Sequence, residues 1–111
     1  MIVEEKMKRL MSIMFVLMSA ATGIMAVAQD SPQALYKAKC VACHGPDGAG
    51  ATVAGKKLGA KDFHSPVVAA MSDSDLLSIT KNGKDKMPAY GKSLTDDQIQ
   101  SLIKYIRTLK Q

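Results

Sequence analysis

Tryptophan is absent from the 111 residues, and cysteine and histidine occur only twice each. A closed zinc site takes four ligands and would consume all of these side chains. His64 lies twenty residues beyond His44, far outside the H-x3–5-H spacing of a zinc finger. A structural disulfide is disfavoured, because Cys40 and Cys43 would close only a very small, strained loop. No strand pattern, internal repeat or low-complexity tract is present. Without a strand–helix–strand frame, a thioredoxin-type dithiol and a phosphate-binding glycine loop both lack their setting. Glutamate is confined to Glu4 and Glu5, at the extreme N-terminus.

The N-terminal segment reads as an export signal. Lys6, Lys8 and Arg9 give a positive start, Leu10 to Ala28 is uncharged and rich in Met, Leu, Ile, Val and Ala, and Ala26-Val27-Ala28 matches a small-residue cleavage site. The expected boundaries are therefore a signal peptide over 1–28 and a single domain over 29–111. Glu4 and Glu5 sit oddly in such a segment, and initiation at Met7 gives a cleaner one. The alternative is an uncleaved anchor, since nineteen apolar residues are about long enough to cross a bilayer as a helix. Either way the folded part is delivered outside the cytoplasm, to the periplasm. Residues 29–111 carry twelve Lys or Arg against eight Asp, a net charge of +4. That excess suits acidic protein surfaces or an anionic membrane face, and export argues against nucleic acid.

Cys40-Val41-Ala42-Cys43-His44 is the chemically informative stretch. Positions i, i+3 and i+4 share one face of a helical turn, so two thiols and an imidazole address one flat object together. C-x-x-C-H is the attachment signature of a c-type haem. The thiols add across the porphyrin vinyl groups, and the imidazole reaches the iron. An 83-residue domain buries a limited core by itself, and a covalent haem would staple it.

Ser31-Pro32 opens a first helix that runs into Cys40. The glycine-rich stretch from Gly45 to Gly59 reads as an extended loop. Lys61 to Ala70 is weakly patterned; Phe63 is a candidate haem wall or core residue, and His64 reads as a surface residue. Ser72 and Asp75 start a helix, with Met71 and Leu76 as its hydrophobic staple, and Asn82-Gly83 ends it. Thr95 and Gln98 form a capping box for the last helix. Its stripe of Ile99, Leu102, Ile103, Ile106 and Leu109 predicts helix over residues 96–110. Met87-Pro88-Ala89-Tyr90 lies in a polar loop where no helical periodicity accounts for the methionine.

With these residues in place the chain resembles the class I c-type cytochromes, small monohaem electron carriers. The carrying features are Cys40, Cys43 and His44, the loop from His44-Gly45, Asn82-Gly83, Met87-Pro88-Ala89-Tyr90, and Tyr105-Ile106-Arg107. The resemblance implies an all-α small cytochrome c fold, with short helices wrapped around one covalently bound haem c per chain. It also implies crossing first and last helices with Tyr105 at the crossing, and Met87 on the iron opposite His44. Met71 is explained by its staple and His64 by exposure, whereas Met87 has no competing role. The implied protein is a one-electron carrier and not an enzyme. It would be a monomer that docks redox partners with acidic surfaces, with peripheral membrane association as a further expectation. The alternative is a haem c subunit of a larger dehydrogenase or oxidase. One feature departs from the pattern. Relatives often use a proline carbonyl to orient the proximal imidazole, but Pro46 is too close to His44 and Val53-Ala54-Gly55 has no proline. Another carbonyl must take that role.

Overall fold

The computed structural model describes residues 1–18 and 31–110. The cleavage site read at Ala26-Val27-Ala28 lies outside the described residues, as does all of the apolar run after Met18. Helix α1 covers Ile2–Met18. Among the described residues no helix is long and apolar enough to cross a membrane.

Among the described residues six helices follow: α2 (Pro32–Lys39), α3 (Val41–His44), α4 (Val53–Leu58), α5 (Pro66–Ala69), α6 (Asp73–Asn82) and α7 (Asp96–Ile106). Their starts follow from side chains that satisfy otherwise free N–H groups. Ser31 Oγ accepts from Ala34 N, Ser72 Oγ from Asp75 N, and Thr95 Oγ1 from Gln98 N. At Thr95 the box closes, because Gln98 Oε1 accepts from the Thr95 backbone N–H at 2.9 Å. The architecture is all-α, with a single isolated bridge, Lys84 to Met87, among the described residues.

Three local expectations are revised. The glycine-rich stretch contains α4, capped by Thr52 and ended by Gly59 in the left-handed region. The weakly patterned stretch contains α5, which has the same Ser–Pro opening as α2. Helix α7 stops at Ile106, where Thr108 N bonds Tyr105 O and the chain tightens into a turn. Leu109 still packs on the core from beyond that helix end.

The core is Leu35, Tyr36, Val68, Leu76, Leu94, Ile99, Leu102 and Ile103, with Ile99 fully buried. Each such side chain contributes about 1.5–3 kcal/mol on leaving water, a modest total for a domain of this size. Helix α7 packs on both α2 and α6. At the α2–α7 contact Tyr36 and Tyr105 meet edge to face, with ring centroids 5.4 Å apart. The expected crossing therefore forms with Tyr105 at it. Lys81 pairs with Asp96 at 3.0 Å, and Arg107 Nε pairs with Asp73 at 2.8 Å, each linking α6 to α7.

Candidate haem site

Cys40 joins α2 to α3, capping the end of the first helix and the start of the second. The motif therefore occupies its own single turn, with Cys40 N bonded back to Tyr36 O and His44 N to Cys40 O. Gly45, at φ +78°, ends that turn, and the buried Tyr36 hydroxyl donates to its carbonyl at 2.6 Å. Burial pushes the Tyr36 phenol well above the ordinary tyrosine range, so it remains a donor. Thr52 Oγ1 donates to the Ala42 and Cys43 carbonyls at 2.8 and 3.0 Å, fastening α4 beneath α3.

The carbonyl that orients His44 is that of Lys61. His44 Nδ1 lies 3.1 Å from Lys61 O, and a carbonyl only accepts, so Nδ1 carries the proton. Nε2 is thereby left with its lone pair free, the arrangement a metal-binding imidazole needs. Burial lowers the His44 pKa and so favours the neutral ring, opposed in part by the Lys61 hydrogen bond. Phe63 stacks on the same imidazole, with centroids 4.5 Å apart and planes 23° from parallel. Sequence reasoning offered Phe63 as a wall residue but could not find Lys61, because every residue carries the same carbonyl. His64 turns away: its Nε2 donates to Asp47 O at 2.8 Å.

Cys40, Cys43, His44 and Met87 all line one cavity of about 660 Å³, within the size range of ligand and cofactor pockets. Leu58, Val67, Val68, Met71 and Ile79 supply apolar wall. A recess of about 110 Å³ continues from it toward Tyr36, Leu102 and Ile103. Met71 and Met87 both reach the cavity, the first from just before α6 and the second from the loop after it. The Met71 backbone is held by Arg107, whose Nη2 donates to Met71 O at 2.7 Å, and Met71 packs against the core cluster. The Met87 loop is tied down by Tyr90 N to Thr80 O and Gly91 N to Lys81 O, both 3.0 Å, and by Tyr90 Oη to Lys39 O at 3.1 Å. Burial raises the Tyr90 phenol pKa, so at neutral pH it donates that bond. The Cys40 thiol is pushed up to about 11 by burial. Two thiols, one oriented imidazole and a thioether facing an apolar cavity fit an iron porphyrin, both in size and in donor chemistry.

The fold and this donor set define a haem protein built from short helices, and comparison with known proteins makes the class specific. A family model described as cytochrome C oxidase, cbb3-type, subunit III matches residues 27–106. Cytochrome c6 of Rippkaea orientalis is 32% identical over 105 residues, covering 90% of this chain and 92% of the relative. Cytochrome c6 of Leptolyngbya boryana is 35% identical over 75 residues, covering 65% of this chain and 81% of the relative. Among solved structures, the KustC0563 c-type cytochrome matches with a TM-score of 0.65 and 30% identity, covering 74% of this chain and 99% of that one. The chain belongs to the c-type cytochromes, as a small class I member. It is a haem c electron carrier, not an enzyme, with one covalently bound haem per chain.

Proposed function

We propose that Cys40 and Cys43 hold the haem as thioethers, that His44 Nε2 and Met87 Sδ are the axial ligands, and that the protein shuttles single electrons between oxidoreductases outside the cytoplasm. The observation that carries this reading is the convergence of these four side chains on one apolar cavity, with His44 Nδ1 occupied by Lys61 O. When bound, the haem supplies a one-electron Fe(II)/Fe(III) couple. Lys61 fixes the imidazole tautomer, and Phe63 covers the ring. Two protein ligands leave no open coordination position, which suits transfer of charge and not activation of a substrate. A thioether also favours the reduced iron and raises the potential. Ferric protein is expected to show a far-red methionine–iron band. Met87→Ala should abolish that band, whereas Met71→Leu should retain it. A band that survives Met87→Ala excludes the assignment.

The cavity mouth suggests the partner. Lys39, Lys61, Lys84 and Lys86 line the cavity with a single acid, Asp85, and with the exposed side chains of Leu58 and Val67. Such a surface suits weak docking to an acidic redox partner by a monomeric carrier. Its second-order electron-transfer rate should fall roughly tenfold or more between about 0.01 and 1 M ionic strength. A second reading, a haem c subunit of a larger complex, is favoured by the description of the matching family model as an oxidase subunit. Salt-insensitive transfer within a stoichiometric complex belongs to that reading.

A further inference from the structure

The loop that delivers Met87 is built on a two-residue hairpin turn. Met87 N donates to Lys84 O at 2.9 Å, and Lys84 N donates to Met87 O at 3.2 Å, so Asp85 and Lys86 form its corners. Turns of this kind need a left-handed residue to match the twist of the flanking chain. Asp85 supplies it at φ +51°, the one non-glycine residue with positive φ among those described. A Cβ group makes that conformation unfavourable for most residues, and Gly, Asn and Asp are the usual occupants. Gly83, at φ +78°, precedes the turn, and a Cβ there would lie 2.8 Å from Met87 O. The far side of the loop is fastened to α6 through Tyr90 and Gly91. Where the Met87 backbone sits is thus set by the Lys84–Met87 turn. The Asp85 carboxylate is exposed and makes no ion pair among the described residues.

We propose that Asp85 is a positioning residue for Met87, acting through its left-handed backbone conformation and not through its charge, and so governing how firmly the thioether holds its place at the haem. This rests on the reading of Met87 as the sixth ligand. The effect should be largest in the ferric protein, where a thioether binds more weakly.

The test is competition by imidazole for the sixth position of the ferric holoprotein, followed through the far-red band in wild type, Asp85→Asn, Asp85→Gly, Asp85→Val and Met87→Ala. Asp85→Val should raise the apparent imidazole affinity roughly five- to thirtyfold, the steric penalty of a left-handed residue expressed as a ratio. Asp85→Asn and Asp85→Gly should stay within about threefold of wild type, since both residues accept that conformation. An unchanged affinity in Asp85→Val overturns the proposal. Weakening by Asp85→Asn equal to that by Asp85→Val also overturns it, by moving the cause to the carboxylate between Lys84 and Lys86. A wild type without the band, and with the imidazole affinity of Met87→Ala, overturns the ligand reading itself and separates that failure from the turn's.

Discussion

Changing Cys40 and Cys43 together to alanine is expected to give protein from which all haem is extracted by acidified organic solvent. The wild type should keep its chromophore on the denatured chain. Thioether bonds survive unfolding and axial ligation does not, so the covalent claim can be read apart from the ligand claim. Each single variant retains one sulfur and should keep one bond. The folded state should suffer as well. The buried apolar set of the described residues is small, and the cavity wall includes Leu58 and Val67, which the protein itself leaves exposed. Loss of a fixed macrocycle therefore removes a staple that a domain of this size needs. Far-UV circular dichroism should show much of the helical signal gone at room temperature. Chromophore that still migrates with the denatured double variant would show that these sulfurs are not the attachment points.

Gly55→Ala is expected to be the most damaging single change away from the cavity lining, lowering stability by about 3 kcal/mol. Gly55 is buried in α4, and a Cβ there would run into the Cys43 carbonyl oxygen, with Gly50 O at 2.8 Å and Thr52 Oγ1 at 2.9 Å. Two of these three atoms are main chain and cannot rotate aside. Helix α4 would have to lift from α3, breaking the Thr52 hydrogen bonds to the Ala42 and Cys43 carbonyls. The turn that carries Cys43 and His44 would lose its support. Gly59→Ala is the comparison, since its Cβ meets no protein atom within 4 Å, although Gly59 borders the cavity, and the positive φ of +73° opposes it. That substitution should cost about 1–2 kcal/mol. Denaturant midpoints of the two holoproteins give the comparison, and equal losses would show that close approach of α4 to α3 is unimportant.

The parts of the fold legible beforehand were those with a local chemical signature. Ser31, Ser72 and Thr95 cap as their spacing implied, and Gly83 ends α6. Helix α4 was hidden because its glycines read as loop, although Thr52 and Gly59 bracket it with ordinary start and stop residues. The same Ser–Pro signal that announced α2 also opens α5, but four residues are too few for periodicity to register. The apolar stripe of α7 ran past its helix because burial of Leu109 continues through a turn. Hydrophobic spacing follows which side chains are covered and not where the backbone stops being helical. Met71 shows the converse error. Its staple position was correctly read, yet it also borders the cavity, which no local pattern indicated.

What the sequence determined by itself is the chemistry contained in five consecutive residues, because two thiols and an imidazole on one turn meet whatever the rest of the chain does. Only the tertiary structure decided that Lys61, seventeen residues beyond His44, supplies the orienting carbonyl. It alone brought Met87 to the cavity that Cys40, Cys43 and His44 line, on a turn whose shape depends on Asp85. The physical reason is that a main-chain carbonyl has no residue signature, and a loop's reach is set by helices packed far from it in the chain. Spacing within one turn is fixed by backbone geometry, whereas meetings between distant positions are fixed by packing.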